Sequence, residues 1–439
     1  MMLATARRNL SPFVPYLATT LNVDVQIIAV AIAAQRFIQI ITLPLTPALW
    51  KLFQCNSSLV VGKARVMVFA VLFLILCLLL IAYGNNLYLI LIVIGLSGAA
   101  KAWFDPSGLS LQRNVLRNAS PRLRGVAAAG TEFNWGLASL VGVPVSGVLL
   151  SISFTLPFLV LAITTAIMLL PLTLVLYTTI QEEESKASEQ QDNTSTASTT
   201  STTPATPATP ATPATPATPS SSFCAQVCLV FCSVPTLSNM FDAMCSALFM
   251  SNKDMSFGLW LNQTHHYDQL NVARVSTIFG GADLLGEVVL VGLLAKGINA
   301  LHISQIHTLL LMAAGLVFMW LGPISDVGGL AVYFFMSMFN EIKAVSTLTL
   351  GALNAEPGLE GLAETSTYLG QAVGFTIGVL TAPMVWELGK EQGVGIWFLA
   401  VGGLCLVNHL CLAVWQYQTR SLVSTHPRTD VKHEISIEL

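Results

Sequence analysis

Long apolar blocks separated by short polar stretches dominate this chain. Residues 66–83 contain no charged side chain, and as an α-helix they would rise about 27 Å, close to the thickness of a membrane's hydrocarbon core. Residues 154–180 and 395–418 show the same pattern. Because lipid offers no hydrogen bonds to a backbone, such runs must form helices whose N–H and C=O groups pair internally. The pattern predicts an all-α, polytopic membrane protein.

Twelve such segments are predicted, six before and six after a polar stretch near the middle of the chain. They lie near residues 3–21, 26–49, 66–83, 87–110, 125–150, 154–179, 223–250, 271–294, 305–321, 328–351, 362–386 and 394–417. The first is expected to be short, because only about 15 apolar-rich residues follow Arg8, a rise of roughly 23 Å. The pattern therefore predicts twelve transmembrane helices in two six-helix bundles.

The central polar stretch contains a regular repeat, STTPATPATPATPATPATPSSS, at residues 201–222. Proline removes a backbone donor from a helix, and Thr and Ala offer no large apolar side chain for a core. We expect a disordered linker at 181–222 between an N-terminal bundle (1–180) and a C-terminal bundle (223–418), with a tail at 419–439. A tether without contacts would let the bundles move, although a long loop is also tolerated at little cost.

Composition and charge agree with this class of protein. The chain is 54% hydrophobic and 10% charged, with a mean hydropathy of +0.69, which excludes a water-facing globular surface. Basic residues concentrate in loops on the side of the N-terminus, so the positive-inside rule places the linker and the tail in the cytoplasm. Lys253, Lys390 and the sequon at Asn262 then fall outside, which predicts a glycan on Asn262.

The two halves share a short motif. The pattern Pro-x-Leu-x-Gly-[Val/Leu]-Ala occurs at residues 121–127 and again at 357–363. Each copy follows the fourth predicted segment of its half. Because six spans separate the copies, both halves have the same orientation, as expected for a pseudo-symmetric parallel repeat about an axis along the membrane normal.

These features resemble the major facilitator superfamily. Its sugar-efflux and drug-efflux permeases are similar to the stretches FDPSGLSL, PRLRGVAAAGTEFNWGLASLVGVPVSGVLL, GLWLNQ and ADLLGEVVL, and to the six-plus-six arrangement. The resemblance implies two bundles that rock around a central site. The superfamily's acidic motif between the second and third spans is replaced by PALWKLFQCNSSLVVGKARV. That departure leaves open a member that gates differently or no longer transports.

Charged residues inside the predicted spans are candidates for function, because a charge at the bilayer centre costs on the order of 3 kcal/mol or more. The candidate substrate- or proton-binding residues are Arg36, Lys101, Asp105, Glu132, Asn134, Trp135, Asp242, Asp283, Glu287, Glu341 and Lys343. Asn134 and Trp135 join the set because they lie beside Glu132 in the fifth segment. Each charged group has two interpretations, a proton or substrate site and a static ion pair between helices.

One grouping is expected between the fourth and fifth segments. Lys101 and Asp105 are four residues apart and share a helix face. Asp105 and Glu132 lie at a matching depth, roughly 12 Å from the cytoplasmic loop. Since the two segments are consecutive and antiparallel, the three side chains are expected to meet.

A second grouping is expected across the two halves. Arg36 is the only charge in its part of the second segment. It is expected to face an anionic substrate, to reach toward the membrane surface, or to pair with a carboxylate of the other half. Asp283 and Glu287 share a face of the eighth segment, the counterpart of the second, and are candidates for that pair. Such a pair would act as a gate.

Glycines in the fifth segment support export. Small residues at this spacing let helices approach closely, and the run, which also contains Pro144, resembles the glycine-proline motif of the superfamily's exporters. The glycines are Gly130, Gly136, Gly142 and Gly147.

Together these features predict a secondary active transporter of a small organic solute that works by alternating access, with proton-coupled efflux as the first hypothesis. Proton-coupled uptake or facilitated diffusion is the second hypothesis, and a transport-inactive receptor or scaffold is the third.

The sequence shows no nucleotide-binding loop, metal-ligand spacing or nucleophile–base set. We therefore expect no enzyme activity, no cofactor and no metal, and the cysteines are expected to be small buried hydrophobes. The expected partners are the solute, protons and the lipid bilayer, not nucleic acid, and the chain is expected to be a monomer in a plasma or organelle membrane.

Overall fold

The computed structural model describes residues 11–55, 57–115, 123, 136–197, 233–353 and 360–425. Nearly all of these residues are helical, and they contain no β-strand. Among them, seven helical segments are long and apolar enough to cross a membrane, judged by length and composition. The helical membrane architecture predicted from the apolar blocks is confirmed.

The N-terminal half, residues 11–197, opens with a 3-10 turn (Ser11–Phe13) that leads into the short helix α1. Two π-helical turns interrupt later spans, Ala138–Gly142 before α6 and Thr165–Leu169 between α7 and α8. The helices are α1 (Val14–Leu21), α2 (Val25–Thr42), α3 (Thr46–Gln54), α4 (Leu59–Tyr83), α5 (Leu87–Val115), α6 (Val143–Ile152), α7 (Thr155–Thr164) and α8 (Leu170–Ala197).

The C-terminal half, residues 233–425, ends in one long helical element with a break. Gly389 and Lys390 leave the helical conformation there, Lys390 with a φ of 47°, and this break separates the eleventh and twelfth predicted segments. The helices are α9 (Val234–Gln263), α10 (Gln269–Val275), α11 (Thr277–Ala295), α12 (Ala300–Leu321), α13 (Asp326–Leu353) and α14 (Glu360–Thr425).

Short polar side chains begin several of these helices. Asp24 accepts a hydrogen bond from the Gln26 N–H at 2.8 Å, and Asp268 accepts one from the Asn271 N–H at 2.7 Å. Asn299 does the same for the Leu301 N–H. Each satisfies a backbone donor that the first turn of a helix leaves unpaired. These caps fix where α2, α10 and α12 start after their connecting loops.

Two predicted boundaries are wrong. α9 continues to Gln263, past the predicted end at residue 250, so Lys253 and Asn262 lie in a helix rather than in an outer loop. α8 continues to Ala197, into the range 181–222 that was predicted to be disordered. That stretch is rich in Glu, Gln, Lys and Ala, which favour helix. Residues 198–222 lie outside the described residues.

One hydrophobic core joins the two halves near the end of the bundle where α9 meets α10, called here the outer end. Phe13 and Leu17 of the N-terminal half and Phe249, Trp260 and Val272 of the C-terminal half belong to it. Two smaller clusters nearer the other end each belong to a single half: Ala64, Met67 and Leu111 form one, and Leu290, Ile303, Ile342 and Val345 form the other. The passage between the halves is therefore closed at the outer end.

Large apolar side chains also cover the outside of the bundle. Ile167, Leu172 and Leu388 are 68%, 66% and 86% exposed. Such surfaces would associate in water, but they match the acyl chains of a bilayer. The exposed faces of the helices are thus the lipid-facing ones.

Candidate functional site

A group of polar and ionisable side chains lies buried inside the C-terminal half, where α9, α12, α13 and α14 meet. We call it the Asp242 cluster. Its members are Asp242, Ser304, Lys343, Thr347, Cys405 and His409, and each is at most 5% exposed. Burying a charge is costly unless it is paired and hydrogen-bonded, so the internal geometry of the cluster must compensate for its burial.

The two oxygens of Asp242 have different partners. The hydroxyls of Ser304 and Thr347 donate to Oδ2 at 2.8 and 2.9 Å. The Lys343 ammonium donates to Oδ1 in an ion pair, and its Nζ lies 3.1 Å from Ser304 Oγ. The carboxylate is therefore anchored on one side by two hydroxyls and presents its other oxygen to a cation.

α14 adds a thiol and an imidazole to the cation side of Asp242. The Cys405 thiol donates to Asp242 Oδ1 at 2.8 Å, and His409 Nε2 lies 3.3 Å from the same oxygen. Lys343 Nζ is 3.2 Å from Cys405 Sγ. Cys405 and His409 are four residues apart, so one face of α14 carries both.

A second group, the Lys253 cluster, lies nearer the outer end. Lys253 Nζ is 2.9 Å from Asp254 Oδ1 and donates to Ser337 Oγ at 2.7 Å. The Ser337 hydroxyl donates in turn to Asp283 Oδ1 at 2.8 Å. Lys253 also lies 4.4 Å from the ring centre of Phe279, at a distance suited to a cation–π contact. A basic and an acidic group on different helices are thus linked through one hydroxyl.

The Lys253 cluster lines a small cavity between the two halves. Lys253, Asp254 and Asp283 form one wall, and Ser139 and Val143 of the N-terminal half form the opposite wall. The cavity volume is about 20 Å³, enough for one water molecule. Glu287, one turn along α11 from Asp283, is 1% exposed, and the Gly136 N–H of the N-terminal half points at its Oε1 from 3.4 Å. Acidic groups of α11 therefore face the junction of the halves.

The other predicted site residues do not form one site among the described residues, and each group has its own surroundings. Lys101 and Asp105 form an ion pair of 3.1 Å within α5. Glu132, Asn134 and Trp135 lie outside the described residues, so the expected meeting of Glu132 with that pair stays a prediction.

Arg36 lies against α14. Its guanidinium sits 4.5 Å from the ring centre of Phe375, and its Nη1 donates to Gln39 Oε1 at 3.4 Å. Asp283 is hydrogen-bonded to Ser337 of α13. The structure thus places Arg36 and Asp283 against different helices, and a gate between them stays a prediction.

Glu341 and Lys343 of α13 face different neighbours. Lys343 joins Asp242 of α9, whereas Glu341 packs beside Gly286 of α11. Both are at most 2% exposed.

Sequence reasoning missed the members of the Asp242 cluster contributed by α12 and α14. The Cys405–His409 spacing on an apolar helix was the available signal. A Cys and a His four residues apart match neither the Cys-x-x-Cys nor the His-x-x-x-His spacing of common metal and redox sites, so this signal alone predicts no site. Lys253 was missed because the helix that contains it was predicted to end at residue 250.

Polar contacts also tie the two halves together at the outer end. The Tyr16 hydroxyl donates to the Tyr267 carbonyl, and the Asn262 Nδ2 lies 3.4 Å from the Tyr16 hydroxyl. Asn262 is half-buried in the last turn of α9. A glycan on that nitrogen would have to displace Tyr16, so the predicted glycosylation requires this contact to open.

Tyr267 also donates a hydrogen bond to Asp326 Oδ2 at 3.1 Å, outside the membrane-spanning segments. The Val327 N–H, at 2.8 Å, and then the Tyr267 hydroxyl hold the pKa of Asp326 below its usual value. Partial burial, and then the bond to Asp326, raises the pKa of Tyr267. Each group therefore favours the protonation state that preserves their hydrogen bond.

Comparisons with known proteins agree with this architecture. A family model described as Major Facilitator Superfamily matches residues 1–379. A search of curated protein sequences found no match.

The solved structures that are similar to this chain include two transporters of different origin. A bacterial homologue of the iron transporter ferroportin, outward-facing and with soaked iron, has a TM-score of 0.64 and 12% identity, over 94% of this chain and 97% of that chain. The human organic anion transporter MFSD10 (TETRAN) has a TM-score of 0.60 and 14% identity, over 93% of this chain and 95% of that chain. At these identities the likeness concerns the fold alone.

Proposed function

The chain belongs to the Major Facilitator Superfamily, and we propose that it is a secondary active transporter that exports a small organic solute in exchange for protons. Family and fold make it a multi-pass membrane transport protein rather than an enzyme. The solute, the protons and the direction are the proposal. The observation that carries it is the Lys253 cluster, which lines a cavity between the two halves.

The position of the Lys253 cluster suits the coupling of proton uptake to the movement of the two bundles. In alternating access, two bundles rock against each other around a site between them. Lys253 and Asp283 belong to one bundle, and Ser139, on the far side of the cavity, belongs to the other. A change in charge at Asp283 therefore acts directly on the surface along which the bundles must separate.

Asp283 is the group that we propose takes up the proton. Among the described residues, Lys253 and Asp254 of α9 share its cavity. Glu287 lies one turn further along α11, and Glu341 of α13 packs beside Gly286 of the same helix. When Asp283 is ionised, the Ser337 hydroxyl links it to Lys253. Protonation neutralises Asp283, weakens that link and leaves Asp254 as the direct partner of Lys253. The two states thus favour different packing between α11, α9 and the opposite bundle.

Export and a monomeric state complete the proposal. Gly147 and Gly136 of the fifth span approach α10 and α11 of the other half closely, in keeping with the glycine run that resembles the superfamily's exporters. The halves share one core at the outer end and a second one at Leu43, Ala102, Tyr368 and Ala372, and we assign loading of the solute to the cytoplasmic side on the strength of the glycine run. Each chain contains both halves of the passage, so one copy is sufficient.

Flux in liposomes tests the proposal. Purified full-length protein is reconstituted, a pH gradient is imposed, and the flux of a panel of labelled solutes is measured, starting with organic anions, the class in the human neighbour's name. We expect flux of at least one solute that follows the gradient. In Asp283→Asn, gradient-driven flux should fall to the level of protein-free liposomes, while solute exchange without a gradient persists.

Glu387→Gln is the matched control, since Glu387 is an exposed carboxylate of α14, and it should leave gradient-driven flux unchanged. Unchanged gradient-driven flux in Asp283→Asn would remove Asp283 from the coupling. A folded wild-type protein that moves no solute in either direction would instead support the receptor or scaffold hypothesis.

A further inference from the structure

We infer that the Asp242 cluster is a binding site for a divalent transition-metal ion, at which Lys343 occupies the cation position when metal is absent. This inference is independent of the proposed export, because the cluster lies within the C-terminal half and not at the junction of the halves. One carboxylate oxygen, one thiol sulfur and one imidazole nitrogen, from Asp242, Cys405 and His409, lie within 4.8 Å of one another.

The donor set indicates which metals fit. Thiolate and imidazole suit Zn²⁺, Co²⁺ and Fe²⁺, whereas Mg²⁺ and Ca²⁺ prefer oxygen ligands alone. Three protein ligands with room for a fourth are the usual arrangement of an open zinc-type site. Cys245, buried on α9 one turn from Asp242, lies next to Cys405 and is a further thiol at the edge of the set.

The ligands stand on rigid elements. Cys405 and His409 occupy one face of α14, and Asp242 lies on α9. The second arm of α14, which carries Cys405 and His409, contacts α9 through Phe398, whose ring centre lies 5.0 Å from that of Phe249, and through Asn408, whose Nδ2 donates to the Ser238 carbonyl at 3.0 Å. Helices held this closely keep donor atoms in place better than loops do.

Hydroxyl groups orient Asp242 as the outer shell of a metal site does. Ser304 and Thr347 both donate to Oδ2, which leaves Oδ1 facing Cys405 and His409. Partners of this kind hold a ligating carboxylate in one orientation, and removing one typically weakens metal binding about 10–100-fold. The same two hydroxyls satisfy the second oxygen of the buried carboxylate when Lys343 is its partner, so the orientation of Asp242 suits either cation.

Lys343 marks the cation position. Its ammonium contacts Asp242 Oδ1, Cys405 Sγ and Ser304 Oγ, so it sits among the atoms that would bind the metal. On binding, the metal displaces the ammonium from Oδ1, the S–H bond of Cys405 and the Nε2–H bond of His409 break, sulfur–metal and nitrogen–metal bonds form, and both protons leave to water. A cation tethered in the site therefore competes with the metal for the same oxygen.

Cobalt spectroscopy tests the site. Purified full-length protein in detergent is treated with chelator, exchanged into clean buffer and titrated with CoCl₂. We expect a sulfur-to-cobalt charge-transfer band that saturates at one ion per chain. Cys405→Ser should abolish the band. His409→Ala should weaken binding at least about tenfold, as should Ser304→Ala.

The variant Lys343→Met shows whether the ammonium competes with the metal, because the two possible roles of Lys343 change the affinity for Co²⁺ in different directions. Removing the tethered cation should tighten Co²⁺ binding at least about tenfold if ammonium and metal compete, and should weaken it or leave it unchanged if Lys343 has another role. The controls are Cys411→Ser, an exposed thiol on the same helix, and Cys77→Ser, a buried thiol of the other half. Both should keep the band.

The overturning results are a wild-type protein without the band, a band that survives Cys405→Ser, or binding that does not tighten in Lys343→Met. If Lys343→Met is not recovered folded, Ser304→Ala and His409→Ala decide, since unchanged affinity in both would overturn the site. Flux is measured separately through Asp283→Asn, so failure of the metal site and failure of the proposed export are distinguishable.

Discussion

Tyr267 and Asp326 illustrate at the residue scale how protonation can control a contact. The Val327 N–H and then the Tyr267 hydroxyl lower the pKa of Asp326, so its contribution to stability is present above the ordinary value of 3.8 and is lost as pH falls through the lowered, folded value. The pKa of Tyr267 is raised. Its contribution is present below the ordinary value of 10.0 and is lost as pH rises through the raised value. The contact is therefore complete between these two limits.

Hydrogen exchange checks this contact. In Tyr267→Phe the donor to Asp326 is gone, so amides at the start of α13 should be less protected than in the wild type near neutral pH. After correction for intrinsic rates, the difference should shrink below pH 3.8, where protonation of Asp326 begins to remove the same bond. Tyr83→Phe, at an exposed tyrosine at the end of α4, is the control. Equal protection at neutral pH in Tyr267→Phe would contradict the role of this bond.

Residue-scale chemistry could be predicted only in part from the sequence. The apolar context of Asp242 and Lys343 made both candidates, and their ion pair is present. Cys405 shares this site from 163 residues away. A local sequence pattern does not show which faces of two distant helices contact each other. The cluster is therefore visible only in the structure, where α9 packs against α14.

At the scale of elements, close contact between helices depends on a few glycines. Gly280 of α11 lies against the backbone of Leu140 in the π-helical turn Ala138–Gly142, where an added methyl group would overlap the Leu140 Cα. Its neighbour Gly281 has open space within 4 Å of the same position. Adjacent glycines in one helix thus have different roles, and only the first sets the distance between the two halves.

Gly280→Ala should therefore loosen the outer end. Overpacking of this kind typically costs about 1–3 kcal/mol, and the seal between α11 and the fifth span should open more often. The measurement is the labelling rate, with a membrane-impermeant thiol reagent, of Ser276→Cys, a buried position beside the cavity. Labelling should be several times faster with Gly280→Ala and unchanged with Gly281→Ala. Equal rates in the two variants would show that Gly280 does not set this contact.

Elements were predicted best where their side chains face lipid. α4 contains an uninterrupted apolar run over residues 66–83, and the helix extends through it. α9 was predicted less well because Lys253 and other polar side chains are buried against neighbouring helices, which lowers its hydropathy without ending it. Because hydropathy measures how well a segment suits lipid, it underestimates the length of membrane spans whose side chains face other helices.

At the scale of the whole molecule, the halves are held together by packing as well as by the connecting chain. Phe13 and Leu17 share one core with Phe249, Trp260 and Val272. Leu43 and Ala102 form a second shared cluster with Tyr368 and Ala372 of α14. A connection over residues 198–232, outside the described residues, is therefore not required to keep the halves in contact.

Cutting the linker tests this independence. A protease site placed within the Thr-Pro-Ala repeat at 201–222 should yield two fragments that still elute as one complex in detergent, because the shared cores remain buried. The uncut protein and a mock digestion are the controls. Separation of the fragments under the same conditions would mean that the linker, and not the packing, holds the molecule together.

The π-helical turn Ala138–Gly142 has a consequence for the whole fifth span. Such a turn holds one residue more than an α-helical turn, because its hydrogen bonds run from i to i+5. If it tightened to the α form, the chain that precedes the turn would rotate relative to the chain that follows it by about 100°, the angle of a single residue step. Gly136 would then lose its contact with α11, while α6, which follows the turn, would keep its contact with α10. One slip of register would then remove Gly136 from its contact with α11 without any bend in the helix.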